Sequence, residues 1–220
     1  MKVEIWSDVA CPWCYVGTER FERAVAKTGV DVDVVYRSFE LDPTVPTGAA
    51  APPLREYLAR KFGDMGRVAA AHARLDSAAG DLGIDFRWSQ MRRANTFDAH
   101  RLLAWSLRTA GPEAQRRLKK ALLRTYFTDG RDVSDHDVLA DLAAGIDLDG
   151  AEALALLESD GEAEHVRAER AAAHRDGINA VPTFVIESQW MLQGALETGR
   201  WVKALTHIRD ELAQQAALSP

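Results

Sequence analysis

The chain has 220 residues, of which 47% are hydrophobic and 27% are charged, and its formal net charge is -6. This composition excludes disorder, a collagen repeat and a coiled coil, and it supplies enough apolar residues for a buried core. No uncharged apolar run reaches the roughly 18 residues of a membrane-spanning helix, and an acidic chain is a poor candidate for sequence-independent nucleic-acid binding.

The N-terminal segment predicts a βαβ unit. Residues 2–6 alternate polar and apolar side chains, as a strand does. Pro12 then opens a helical pattern that reaches Thr28, and Gly29 stands where helices commonly end. Residues 30–39 alternate again, so two parallel strands of one sheet are expected. The charged start, Lys2 and Glu4, does not resemble a secretory signal, so we expect a cytoplasmic protein.

A breaker-rich segment separates this unit from a long helical region. Between residues 42 and 53 it contains Pro43, Pro46, Gly48, Pro52 and Pro53, which favour turns over regular structure. Helical periodicity then predicts helices over 54–62, 65–82, 96–109, 115–127, 138–144 and 151–158. We therefore predict an all-helical insertion domain over residues 49–158.

The C-terminal part returns to a mixed pattern. A helical segment, 161–175, precedes a strand within 180–187, a turn at Ser188-Gln189, a second strand over 190–194 and a final amphipathic helix over 197–216. The predicted fold class is thus α/β, with the order βαβ, helical insertion, αββα. Residues 1–48 and 159–220 would form one domain around the sheet.

The chain has only two cysteines, Cys11 and Cys14, and this spacing excludes a disulfide framework. A zinc site would need a second pair of ligands, and the six histidines are scattered singly, so we expect no metal. The predicted helix start would stabilise a Cys11 thiolate and lower its pKa. Cys14, one turn later, could then resolve a mixed disulfide. This spacing favours redox chemistry, with inert structural cysteines as the alternative.

Several motifs together resemble the DsbA-like thioredoxin superfamily. They are Cys11-Pro12-Trp13-Cys14 after the first strand, the helical insertion after the second, and Val181-Pro182-Thr183-Phe184 near the end. The FrnE-like branch is the most similar, on Asp8-Val9-Ala10 before the cysteines, Phe39-Glu40-Leu41, Asn95-Thr96, Ala99-His100-Arg101-Leu102 and Gly177-Ile178.

The resemblance implies a thioredoxin fold and a cytosolic dithiol-disulfide oxidoreductase. It also implies a cis Val181–Pro182 bond that faces the cysteines, with neighbouring backbone that pairs with a substrate chain. The expected partners are protein or small-thiol disulfides and an unidentified redox partner. No bound cofactor is expected beyond the Cys11–Cys14 disulfide, and a glutathione-like thiol is a candidate co-substrate.

Other residues have two interpretations each. Asp8 and Glu40 are candidates to manage the proton of Cys14, or are carboxylates at a loop and a strand end. Asn95, Thr96 and His100 would face the cysteines across a cleft according to the resemblance, or would cap and pack a helix. The aromatic residues could line an apolar groove or belong to the core; they are Phe62, Trp88, Phe97, Trp105 and Phe127.

The residue between the cysteines bears on the redox properties. Periplasmic DsbA proteins carry His where this chain has Trp13, and an indole has one donor and no charge. We therefore expect the pair to be less oxidising than in those relatives.

Two competing functions stay open. Kappa-class glutathione transferases and 2-hydroxychromene-2-carboxylate isomerases resemble this architecture, but they typically have Ser at the position of Cys11 and lack Cys14. A non-catalytic binding module or chaperone would use the helical cleft and the basic stretch 87–124, which contains ten Lys or Arg and only two acidic residues. Activity that survives the loss of Cys14 would favour the first alternative, and binding that survives the loss of both cysteines would favour the second.

Overall fold

The computed structural model describes residues 1–46 and 54–218, without the side chains at positions 55, 56, 61 and 62. The predicted domain boundary at residues 48 and 49 lies outside these ranges, so the division into two domains stays a prediction. Among the described residues, no helix combines the length and the apolar character needed to cross a membrane.

The predicted order of elements is confirmed. The helices and strands are β1 (Lys2–Ser7), α1 (Pro12–Thr28), β2 (Asp33–Ser38), α2 (Leu54–Phe62), α3 (Met65–Ala79), α4 (Phe97–Phe127), α5 (His136–Ala144), α6 (Gly150–Glu158), α7 (Ala163–Arg175), β3 (Thr183–Ile186), β4 (Trp190–Gln193) and α8 (Thr198–Leu218). A short 3-10 turn, Gly80–Leu82, follows α3. The fold class is α/β, with helices inserted after the second strand.

The four strands form one mixed sheet in the order β2-β1-β3-β4. As predicted, β1 and β2 are parallel, and Ser7 pairs with Ser38 at their C-terminal ends. β3 runs antiparallel to β1 and forms a hairpin with β4. The left-handed residues of the turn are Glu187 and Ser188, one position earlier than predicted. The C-terminal end of β1 leads directly into the two cysteines.

An aromatic cluster fixes α1 and α8 on the sheet. Phe21 of α1 and Trp201 of α8 have ring centroids 5.0 Å apart, and both rings contact Phe184 of β3. Edge-on aromatic pairs of this kind contribute about 0.5–1.5 kcal/mol beyond their buried area. The helix that begins at the cysteines is therefore held rigidly against the strands.

α4 joins the insertion to the sheet. The sequence predicts two helices here, and the structure confirms the break between them: the backbone of Gly111 is non-helical (φ 82°, ψ -177°), so α4 consists of two helical halves that meet at a kink. The second half lies along β2, an edge strand with unpaired backbone groups. The side chain of Gln115 pairs with that edge, since it accepts from Tyr36 N at 2.8 Å and donates to Tyr36 O at 3.0 Å. Lys119, one turn later, lies on the same face of α4.

Arg101, in the first half of α4, closes the end of α6. Its buried guanidinium donates to the carbonyls of Leu156, Leu157, Ser159 and Gly161 and pairs with Asp98. The last carbonyls of a helix have no partners within the helix. Arg101 therefore satisfies the C-terminal end of α6 and ties it to α4.

Candidate active site

The two cysteines lie at the start of α1, as predicted. Cys11 is the N-cap residue, with extended backbone (φ -97°, ψ 110°), and its Sγ accepts the backbone N–H of Cys14 at 3.3 Å. Pro12 begins the helix, where its missing N–H costs nothing. Both cysteines are free thiols; Cys11 is 4% exposed and Cys14 is 0% exposed. Trp13, between them, is 39% exposed.

The segment before β3 faces this helix start. The Val181–Pro182 peptide bond is cis, as the resemblance implies. The Cys11 thiol donates to the carbonyl of Val181, with 3.6 Å between Sγ and O. Positions 11 and 181 thus meet in space, although 170 residues separate them in sequence.

Gly17 explains how closely Pro182 approaches α1. A Cβ at this position would lie 2.8 Å from Pro182 Cγ and 3.4 Å from Cα of Ala195. Real Cβ atoms do not come so close to a carbon atom, so only glycine allows this packing. Gly17 therefore sets the distance between α1 and Pro182.

The two thiols ionise as a pair. The hydrogen bond with Cys14, followed by burial, raises the pKa of Cys11 well above its ordinary value. Burial opposes ionisation of Cys14, but the hydrogen bond from Cys11 and the charge of Lys119 bring the pKa of Cys14 below its ordinary value. The predicted lowering at Cys11 is therefore wrong. The first proton leaves the pair readily and the second with difficulty, because adjacent thiolates repel each other.

Asp8 lies beneath the cysteines with a fully buried carboxylate. The carboxylate accepts the N–H of Leu41 at 2.7 Å and of Ala10 at 3.3 Å. His100 Nε2 is 3.4 Å from Asp8 Oδ1, in a contact too poorly aligned to be a hydrogen bond. Burial opposes the charge of Asp8, but His100, the Leu41 N–H and Lys119 hold its pKa below the ordinary value. Asp8 is thus a buried anion next to the two cysteines.

Glu40 and Asn95 have partners that match their structural interpretations. Glu40 is buried and accepts from Arg170 Nη1 of α7 at 3.0 Å, which ties the end of β2 to that helix. Asn95 Oδ1 accepts the first N–H of α4, from Phe97 at 2.9 Å, and its amide donates to Val45 O. Thr96 is buried beside it. The described contacts bring Asp8 and His100 to the site, but not Glu40 or Asn95.

A cavity of about 510 Å³ lies beside Pro12, between the segment that precedes Cys11 and the inserted helices. Two residues of the predicted groove, Trp88 and Phe127, line it, and Trp88 stacks on His72 with 3.9 Å between ring centroids. Phe97 and Trp105 are not among its described lining residues, and the side chain of Phe62 lies outside the described part of the chain. The described residues contain no group of three His, Cys, Asp or Glu side chains placed to hold a metal ion.

Sequence reasoning missed Lys119. In the sequence it is one of ten cations in a basic stretch, which indicates a solvated helix face. In the structure its side chain is 0% exposed, and among the described residues its Nζ has no hydrogen-bond partner. No sequence signal marks it, because its burial depends on how α4 lies against the edge of the sheet.

Comparisons with known proteins agree with this geometry. The sequence profile of the DSBA-like thioredoxin domain matches residues 2–206. The chain is 36% identical to a probable DsbA oxidoreductase from Streptomyces coelicolor, with a TM-score of 0.88 over 96% of this chain and 91% of that one. It is 26% identical to the uncharacterized protein YwbO of Bacillus subtilis, over 94% of this chain and 96% of YwbO. A 2-hydroxychromene-2-carboxylate isomerase shares the fold, with 17% identity and a TM-score of 0.70 over the whole of both chains.

Proposed function

We propose that this chain, which belongs to the DSBA-like thioredoxin domain family, is a dithiol-disulfide oxidoreductase that works by exchange at Cys11 and Cys14. One observation carries the proposal. Cys11 Sγ lies at the N-cap of α1, where it accepts the Cys14 N–H at 3.3 Å and contacts Val181 O at 3.6 Å. A helix start stabilises negative charge on this pair of thiols, whose first proton leaves readily, and the hydrogen-bonded neighbour of Cys11 is itself a thiol.

The difference in burial supports attack by Cys11 and resolution by Cys14. The pair shares one proton when singly ionised, and transfer of that proton to Cys14 places the thiolate on Cys11, the less buried sulfur. The Cys11 thiolate attacks a substrate disulfide, its S–S bond breaks, and one substrate sulfur leaves as a thiolate. Cys14 then loses its proton and attacks Cys11 Sγ, which releases the second substrate thiolate. The cysteine pair is oxidised by two electrons, and the substrate is reduced by two.

The position of Val181 supports the proposed substrate-binding role of Val181 and Pro182. The Val181 carbonyl already contacts Cys11, so an extended substrate with its sulfur on Cys11 would pass beside the backbone of this segment. The proposed substrates are protein or small-thiol disulfides, with a glutathione-like thiol as co-substrate. We place the reaction in the cytoplasm, because the uncharged Trp13 suits a pair that works among reducing thiols.

The test is a redox titration of the purified protein in mixtures of reduced and oxidised glutathione. Trp13 lies between the cysteines, so tryptophan fluorescence should report a reversible two-electron transition. Cys14→Ser should stop at a stable mixed disulfide with glutathione, and Cys11→Ser should form much less of it because its remaining thiol is fully buried. The absence of a transition in the wild-type protein would contradict the proposal.

A glutathione-dependent isomerase or transferase is the rival on the same fold. Such an enzyme would use the thiol of bound glutathione and would have no need of Cys14. Turnover of an isomerase substrate by Cys14→Ser, at the rate of the unaltered protein, would favour this rival over thiol-disulfide exchange.

A further inference from the structure

The burial of the Lys119 side chain is not explained by a contribution to the stability of the fold. Its side chain is fully enclosed, and among the described residues Nζ accepts or donates no hydrogen bond. Its described contact is with the ring of Tyr36, whose centroid is 5.7 Å from Nζ. A buried ammonium without a hydrogen-bonded partner destabilises a fold, because the charge loses its hydration and gains no compensating bond.

The groups that surround Lys119, directly or through Asp8, come from four parts of the fold. Cys11 and Cys14 at the start of α1 and the Asp8 carboxylate after β1 interact with it electrostatically. Tyr36 of β2 contacts it through its ring, and burial raises the pKa of that phenol, so Tyr36 stays neutral. His100, from the first half of α4, contacts Asp8. Of the two thiols, Cys14 does more than Cys11 to favour the charged form of the Lys119 amine.

The insertion holds the amine in this place. Gln115, one turn before Lys119, forms hydrogen bonds with both backbone groups of Tyr36. These bonds direct the same face of α4 toward the C-terminal ends of β1 and β2, and β1 leads into the cysteines. The buried amine is thus held on the face of α4 that packs against the sheet, where it interacts electrostatically with the fully buried Cys14.

We propose that Lys119 is the proton partner of Cys14: its amine takes the proton that Cys14 loses when the mixed disulfide is resolved. The proposal rests on the exchange reaction above. In the mixed disulfide Cys11 carries no charge, and burial lowers the pKa of the Lys119 amine, which favours its neutral form. The Cys14 S–H bond then breaks and its proton moves to that amine. The Cys14 thiolate forms the S–S bond with Cys11, and the bond from Cys11 to the substrate sulfur breaks. The substrate leaves as a thiolate, which takes up the proton that the ammonium then releases, so no further reactant is needed.

A single mixing experiment follows both the attack by Cys11 and the resolution by Cys14. The reduced protein is mixed with the aromatic disulfide DTNB, which releases one coloured thiolate when Cys11 attacks and a second when Cys14 resolves. Both rates are measured against pH for the wild-type protein, for Lys119→Met, which keeps the apolar length without the amine, and for Lys120→Met. Lys120 is the matched control, because it is partly exposed and pairs with Glu19 and Glu22 on the surface.

Lys119→Met should slow the second release about tenfold or more near pH 7, the size of a general-base contribution. The pH midpoint of that release should rise, while the first release changes much less. Lys120→Met should match the wild-type protein in both phases. The Tm of Lys119→Met should equal or exceed that of the wild-type protein, because an apolar side chain suits this buried position better than an amine.

Two results would overturn the proposal. One is a second release by Lys119→Met with the rate and pH midpoint of the wild-type protein. The other is a slower second release together with a lower Tm in both Lys119→Met and Lys119→Gln, which would show a structural role. If the wild-type protein itself gives no second release, the exchange function fails, and this result is distinct from both.

Discussion

Replacement of Gly17 by alanine should separate Pro182 from α1. The new Cβ would lie 2.8 Å from Pro182 Cγ, whereas carbon atoms in contact are about 3.5–4.0 Å apart. One of the two must therefore move by about 0.7 Å or more. The ring of Pro182 is rigid and buried, and α1 is held by the aromatic contacts of Phe21, so neither can yield freely.

The expected magnitude combines two opposing effects. Overpacking of a close contact costs about 1–3 kcal/mol, while Gly→Ala inside a helix gains up to about 1 kcal/mol. The free energy of unfolding should therefore fall by up to about 2 kcal/mol, which for a chain of this size lowers Tm by about 2–4 °C per kcal/mol. Because a displacement near 1 Å at a reaction centre can cost about 100-fold in rate, the first thiolate release from DTNB should slow by roughly tenfold.

Gly199→Ala is the matched control, measured by thermal unfolding and by the same DTNB assay. Gly199 lies in α8, and a Cβ there meets no atom within 4 Å. This variant should keep the wild-type exchange rate and should be as stable as the wild-type protein or slightly more stable. A Gly17→Ala protein with unchanged Tm and unchanged exchange rate would refute the argument that this glycine sets the position of Pro182.

Two further predictions concern buried charges. The pKa of Asp8 is held below its ordinary value of 3.8, so the stability this carboxylate supplies is present above that pH and is lost as the pH falls through its folded value. In urea titrations, Asp8→Asn should therefore be less stable than the wild-type protein at pH 7, and the difference should shrink below pH 4; a difference that is constant with pH would contradict this. Arg101→Met should lower the free energy of unfolding by about 3–5 kcal/mol in the same titrations, because it leaves Asp98 and several carbonyls of α6 without their buried partner, and a loss below about 1 kcal/mol would show that water satisfies these groups.

The helices and strands whose apolar side chains repeat with a regular period were predictable from the sequence. Alternation marks β1 and β2, a 3.6-residue period marks the helices, and the polar residue Asp149 marks the start of α6 by accepting its first N–H groups. The helices predicted over 96–109 and 115–127 correspond to the two halves of α4, and the non-helical backbone of Gly111 confirms the break between them. How the second half lies against β2 was not predictable, because it depends on tertiary contacts such as that of Gln115 with Tyr36.

The candidate site could be located from the sequence alone, as two thiols one helical turn apart, at a strand-to-helix junction, in a chain with no other cysteine. The resemblance also indicated which distant segment faces them. The neighbours that act on those thiols became clear only from the folded structure. Three such effects depend on residues far apart in sequence: the burial of Lys119, the pairing of Glu40 with Arg170 and the lowered pKa of Cys14. Such contacts follow from how helices and strands pack, and desolvation then sets the ionisation of each group, which a local pattern does not encode.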